Sequence, residues 1–369
     1  MIPISKPLLG EEEQVAVRRV LESGMLAQGP RVAEFERAFA EFIGVKHAIA
    51  TSNGTTALHA TLLAHGVGPG DEVITTPFTF MASVNSILFT GARPVLVDID
   101  DSFNINPAQV EAAITSRTKA IMPVHLYGQA ADLGALDQIA HRHGLALVED
   151  ACQAHGAEFA GHKAGSFGTG CFSFYATKNM TTGEGGMITT DDEGIAQRAR
   201  MIIAHGMKVR YYHETLGCNY RMTDMAAAIG IEQLKKLPAF NARRAANAAW
   251  YDQQLANIPG LITPSVAPDR THIYHQYTIR ITPEYGIGRD ALAEQLGQRG
   301  IGSAIYYPIP VHRQHSMRAY GMGDLVCPIT EQMADEVLSI PIHPSVTDSD
   351  RLLIADALIS LAAMVPVSV

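Results

Sequence analysis

The chain has 369 residues, of which 47% are hydrophobic and 18% charged, a balance that builds a large core and excludes disorder. Its formal net charge of −9 repels nucleic acid and anionic membranes, and no basic patch offsets it. The length allows two domains.

The pattern along the chain alternates helix and strand. Glu11 to Glu22 reads as an amphipathic helix with acids in its first turn, and Arg31 to Ile43 as a second. HAIATSNGTTALHATLLAHG then reads as a strand, a polar turn and a helix. DEVITTP is a strand, FMASVNSILFTG a helix and RPVLVDID a strand again. TKAIMPVHLYG is a strand, and DLGALDQIAHRHG is a helix that Gly144 closes. LALVEDAC and GCFSFYATK are further strands. The alternation predicts an α/β domain with a mostly parallel sheet. The register breaks at Leu237-Pro238, and a long helix is expected from Asn241 to Leu255. IYHQYTIRI and RDALAEQLGQRG then predict a smaller α+β domain. The expected division is 1–240 and 241–369.

Cys152, Cys171, Cys218 and Cys327 lie far apart with no C-x-x-C spacing. That spacing predicts neither a disulfide framework nor a zinc site, and it suits a reducing cytoplasm. MIPISKPLLGEEEQ has no apolar stretch of signal-peptide length. No run reaches the about 18 apolar residues of a membrane span. A cytoplasmic protein is expected.

Three segments carry groups suited to chemistry. In Ser52-Asn53-Gly54-Thr55-Thr56-Ala57, Gly54 permits a tight turn, and the helix start supplies free N–H groups beside the Thr55 hydroxyl. Such a turn suits a phosphate, and an ordinary N-cap has the same look. In Val148-Glu149-Asp150-Ala151-Cys152-Gln153, acids end a buried strand, where α/β proteins bind ligands. A capping acid is the plainer reading. In Ser173-Phe174-Tyr175-Ala176-Thr177-Lys178, a lysine leaves an apolar strand and meets the glycine-rich Thr181-Thr182-Gly183-Glu184-Gly185-Gly186. Burial would depress its pKa and expose a nucleophilic amine. No G-x-G-x-x-G or Walker loop occurs.

In this order the segments supply what pyridoxal phosphate needs. Donors meet the phosphate, a carboxylate meets the ring nitrogen and an amine meets the aldehyde.

The chain resembles the DegT/DnrJ/EryC1/StrS sugar aminotransferases along nearly its whole length. The likeness lies in Gln28-Gly29-Pro30, SNGTTALHA, TPFTF, PVHLYGQAAD, VEDACQAHGA, SFYATKNMTTGEGG, GCNYRMTD, YYPIPVH and SIPIHPS. It implies the aspartate-aminotransferase-like fold type I, a large mostly parallel-sheet domain with a smaller α+β C-terminal domain. It also implies a pyridoxal phosphate cofactor that passes through pyridoxamine phosphate. Lys178 would hold the cofactor covalently and Asp150 would pair with the ring nitrogen. Gln153 would lie beside the ring's phenolic oxygen. Thr55, the Thr56 backbone and Ser173, after the turn at Gly54, would hold the phosphate, and Phe80 would stack on the ring. Asn219 would reach the phosphate of a neighbouring subunit in a homodimer. Arg221, Tyr307 and His312 are candidates for substrate binding.

The implied reaction moves an amino group from L-glutamate, leaving 2-oxoglutarate, to a nucleotide-linked keto sugar. NMTTGEGG resembles members that aminate carbon 4 more than the GDGG type that acts at carbon 3. Within the resemblance, a sugar dehydratase and a non-catalytic regulator are the alternatives. The presence of Lys178, Asp150 and Ser173 favours transamination.

Overall fold

The computed structural model describes residues 1–363. Two amphipathic helices come first, α1 (Glu11–Ser23) and α2 (Pro30–Ile43). Strand and helix then alternate: β1 (His47–Thr51), α3 (Gly54–Ala64), β2 (Glu72–Thr75), α4 (Met81–Phe89) and β3 (Arg93–Leu96). The alternation continues with α5 (Pro107–Ala112), β4 (Thr118–Ile121), α6 (Leu133–His143) and β5 (Ala146–Asp150). A hairpin of β6 (Glu158–Phe159) and β7 (His162–Lys163) precedes β8 (Thr169–Ser173) and β9 (Gly186–Thr190). Next come α7 (Glu193–Ile202), the hairpin β10 (Met207–Val209) and β11 (Tyr212–His213), and the 32-residue α8 (Asp224–Leu255). The last elements are β12 (Leu261–Ile262), β13 (Tyr277–Ile281), α9 (Arg289–Gln298), α10 (Pro328–Glu336), β14 (Val337–Ile340) and α11 (Asp348–Ala363).

Seven strands form one sheet in the order β1-β9-β8-β5-β4-β2-β3. Every pairing in it is parallel except the two made by β9, which runs antiparallel between β1 and β8. Helices on both faces cover the strands, so β2 and β9 are buried at every position. The carboxyl ends of β1, β5 and β8 therefore lie at one edge, where an α/β sheet opens its ligand crevice. A second, antiparallel sheet of β12, β13 and β14 has a separate core that includes Tyr251, Tyr277, Ile279, Leu292 and Leu338. Ile2 joins that core and pairs with Ile301.

The helix expected to begin at Asn241 begins at Asp224 and passes through Pro238. The expected division at 240/241 falls inside α8. A proline inside a helix removes one N–H bond and costs about 3 kcal/mol. Here packing outweighs that cost: Ile231, Leu234 and Leu237 are buried before the proline, and Ala248, Tyr251 and Leu255 after it.

The first residue of α8 also starts α2. Gly29 is the N-cap of α2 and has no side chain with which to cap it. The buried Asp224 carboxylate does so instead, accepting from the N–H groups of Gly29 (2.8 Å), Val32 (3.0 Å) and Arg31 (3.2 Å). A negative charge at a helix start also meets the positive end of its dipole. Asp224→Ala should lower stability by about 2–3 kcal/mol in urea unfolding, and Asp224→Asn by less.

Candidate active site

A cavity of about 730 Å³ opens at the strand ends, within the range that holds a drug-sized ligand. Its lining includes Gly54, Thr55, Phe80, Asp150, Gln153, Ser173, Lys178 and Tyr307. Nine of the twelve residues singled out from the sequence, Gly54 and Thr56 among them, thus meet at one place.

The phosphate-type turn forms between β1 and α3. Asn53 caps α3 by accepting the Thr56 N–H at 2.9 Å, and the Thr56 hydroxyl donates back to the Asn53 carbonyl at 2.8 Å. Thr56 lines the cavity, but its N–H is committed to this cap. Among the described residues, the Gly54 and Thr55 N–H groups find no protein acceptor. A Cβ on Gly54 would stand 2.8 Å from Ser173 Cβ and 2.9 Å from Cys152 Sγ, so only glycine lets the helix start so close to these strand ends.

Asp150 is the last residue of β5 and is buried. Its Oδ2 accepts from the Ser83 hydroxyl at 2.7 Å, and its Oδ1 from the Cys152 N–H at 3.2 Å. Because Ser83 donates to the carboxylate, the Thr79–Ser83 contact at 2.8 Å has Thr79 as its donor. Gln153 is held by its Oε1, which accepts the Tyr127 N–H at 2.8 Å, and its Nε2 donates to the Tyr307 hydroxyl at 3.2 Å. The Phe80 ring is 59% exposed and lies 6.0 Å from that of Tyr307.

Lys178 lies past the end of β8, in a turn where its N–H donates to the Tyr175 carbonyl at 2.9 Å. Burial lowers its amine below the usual lysine range, while Cys152 and Asp150 pull weakly the other way. Among the described residues its Nζ has no hydrogen-bond partner. Ser173 ends β8, and its carbonyl accepts from His155 Nε2 at 2.8 Å.

His312 is not part of the cavity lining. It is fully buried elsewhere, with Nε2 at 2.9 Å from Glu331 Oε1, because Val311–Arg313 turns it inward under α10. Asn219 is exposed and Arg221 half-buried, and neither lines the cavity. His125 is a structural residue: Nδ1 accepts the Ala131 N–H at 3.0 Å, so Nε2 donates to Glu149 at 3.1 Å. Several lining residues gave no sequence signal. They are Ser83, His59, Tyr220, His275 and Gln276. His59 Nδ1 meets the Tyr220 hydroxyl at 3.1 Å across 161 residues of chain, a distance no local pattern spans.

The pattern of the DegT/DnrJ/EryC1/StrS aminotransferase family matches residues 7–359. The chain belongs to this family. It is 42% identical over 366 residues to the spore coat polysaccharide biosynthesis protein SpsC of Bacillus subtilis (strain 168), covering 95% of this chain and 94% of that one. It is also 42% identical to the GDP-perosamine synthase of Caulobacter vibrioides over 358 residues, with 95% of each covered. The structure of S. venezuelae DesV in complex with a ketimine intermediate superposes with a TM-score of 0.92 at 40% identity, covering 96% of this chain and 95% of that one. The chain is accordingly a pyridoxal-phosphate-dependent aminotransferase of fold type I.

The residues present fit that cofactor. Free N–H groups at Gly54 and Thr55, an oriented carboxylate at Asp150, an open aromatic face at Phe80 and an unpartnered amine at Lys178 face one cavity. Lys178→Met should raise the melting temperature of cofactor-free protein at pH 7. The folded pKa of Lys178 lies below the value of about 10.4 for an unfolded lysine, so the unfolded chain binds that proton more tightly. Wild-type stability therefore carries a penalty below that pH, and the gap between the two proteins should close as pH rises through it.

Proposed function

We propose that the chain transfers an amino group from L-glutamate to a nucleotide-linked keto sugar, at carbon 4 in preference to carbon 3, and releases 2-oxoglutarate. One observation carries this reading: the unpartnered Lys178 amine shares a cavity with the Asp150 carboxylate and the free donors of the Gly54–Thr55 turn. The volume leaves room for a second ligand beside the cofactor. The 42% identity to a GDP-perosamine synthase supports a nucleotide-linked sugar. The carbon-4 preference rests on the resemblance of Thr181 to Gly186 to that class of member.

Pyridoxal phosphate, when bound, supplies an aldehyde that condenses with amines and a ring that withdraws electrons from the attached carbon. The chain's own residues do the rest. Gly54 and Thr55 N–H groups, with the hydroxyls of Thr55 and Ser173, hold the phosphate. Asp150 keeps its charge aimed at the ring nitrogen because Ser83 and the Cys152 N–H fix both its oxygens. Gln153, tied to Tyr127 and Tyr307, would stand at the ring's oxygen. Phe80 covers one face. Lys178 would anchor the cofactor, and its Nζ would take and return the migrating proton, a role that a depressed pKa suits. Asn219 and Arg221, outside the cavity of their own subunit, reach the neighbour's site in a homodimer. The enzyme works in the cytoplasm, which its four free cysteines suit.

The test is the absorption spectrum of protein loaded with pyridoxal phosphate, before and after L-glutamate, followed by a panel of UDP-, GDP- and dTDP-linked keto sugars. Glutamate should bleach the visible band, a keto sugar should restore it, and borohydride should fix the cofactor to Lys178. Lys178→Ala should lower turnover roughly 10³-fold or more. A band indifferent to glutamate removes the donor, and a panel without any acceptor removes the sugar.

A further inference from the structure

We infer that His275 presents a bare imidazole nitrogen, Nε2, to the cavity wall and there accepts a hydrogen bond from a sugar hydroxyl next to the carbon that receives the amino group. This assignment rests on the reading of the chain as a nucleotide-sugar transaminase.

The proton on His275 is placed by its neighbours. Asn179 Nδ2 donates to the Ile273 carbonyl at 3.2 Å and to Asn241 Oδ1 at 2.9 Å. A backbone carbonyl only accepts, so the Asn179 amide has one orientation, with its Oδ1 facing His275 Nδ1 at 3.2 Å. Nδ1 must therefore carry the proton, and Nε2 is left with its lone pair. The Asn241 amide is oriented in the same way, since its Nδ2 donates to the His155 carbonyl at 2.8 Å. Arg244 grips the backbone on either side of this point, donating to the carbonyls of Tyr274 (3.0 Å) and His275 (3.2 Å).

His275 is 5% exposed, and that remnant of surface opens into the cavity it lines. Among the described residues Nε2 has no hydrogen-bond partner, and it is not among the buried orphan atoms, so it keeps surface that a ligand can reach. Burial, with Lys178 and Arg244 nearby, keeps the ring neutral far below the usual histidine range. Gln276, the next residue, lines the same wall and leaves its amide Oε1 buried and unpartnered. Two unpaired side chains on one wall call for a ligand rich in hydroxyls. The position of His275 is set through Asn179, the residue that follows Lys178, so the hydroxyl it meets lies close to the reacting carbon.

Two substitutions separate this role from a structural one. His275→Asn keeps an N–H for Asn179 and removes the acceptor at the Nε2 position. His275→Gln puts an acceptor back there. The probes are a nucleotide-linked 4-keto-6-deoxyhexose that the wild type accepts and the same compound deoxygenated at carbon 3, with each half-reaction followed by single-turnover absorption. Affinity for the matching amino sugar is measured by titration calorimetry on the pyridoxamine form. His275→Asn should lower kcat/KM for the hydroxylated sugar about 10- to 100-fold, weaken amino-sugar binding to match, and affect the sugar half-reaction at least tenfold more than the glutamate half. His275→Gln should recover most of the loss, and the deoxygenated sugar should no longer distinguish wild type from His275→Asn. Equal losses in both half-reactions, an undiminished loss with the deoxygenated sugar, or no loss would overturn the assignment. A wild type that accepts no keto sugar would instead remove the transaminase reading on which it rests.

Discussion

Taking a lysine ammonium out of water costs several kcal/mol unless a countercharge meets it, and no carboxylate lies in ion-pair contact with Lys178 among the described residues. The fold supports that cost across the rest of the cavity. The lysine is carried past the end of β8 on a turn whose base is held by His155 at the Ser173 carbonyl and whose far side is held by Asn179. A half-buried amine left unpaired is neutral more readily than one in open solvent, and a neutral amine is a nucleophile. The free N–H groups of Gly54 and Thr55, the Asp150 carboxylate and the Phe80 ring share one cavity with that amine.

The two consecutive acids of β5 illustrate how a strand divides labour. Side chains alternate across a sheet, so Glu149 and Asp150 point to opposite faces. Glu149 is fully buried and takes the N–H groups of Gly165, Phe167 and Gly168 together with His125. Those bonds fold the segment that leads into β8. Asp150 instead faces the cavity, with a hydroxyl and one N–H to orient it. The glutamate fixes the strand that leads to Lys178, and the aspartate is left facing the cavity.

What could be read from the sequence follows from the range of each interaction. Strand periodicity and helix caps are local, so β1 to β5 and helices such as α6, closed by Gly144 at φ 63°, lie where the pattern predicts. Lys178, Asp150 and Thr55 were legible because each sits at an element end with a distinctive neighbourhood. The antiparallel insertion of β9 between β1 and β8 had no local mark. The passage of α8 through Pro238 depends on packing at both ends, and a local rule sees only the proline. His312 shares a motif with Tyr307, yet five residues further on the chain has turned it under α10. Ser83 and His275 reach the cavity from segments 67 and 125 residues from Asp150, so neither could be paired with it in advance.

Helix α8 gives the cavity its second support. Near its start, Asp224 caps α2, and Gln233 donates to the Leu8 carbonyl and to Glu13. Past Pro238, Asn241 meets Asn179 and His155, and Arg244 meets the carbonyls of Tyr274 and His275. Further along, Tyr251 belongs to the core under β12, β13 and β14, and Asp252 accepts from the Tyr277 hydroxyl at 2.6 Å. One rigid element thus runs from the start of α2, past the wall beside Lys178, to the second sheet. A break at the proline would have separated the second sheet from the residues that orient His275. Its continuity means that the placement of β13, through the segment 273–276 that enters it, and the placement of the lysine turn are set by the same helix.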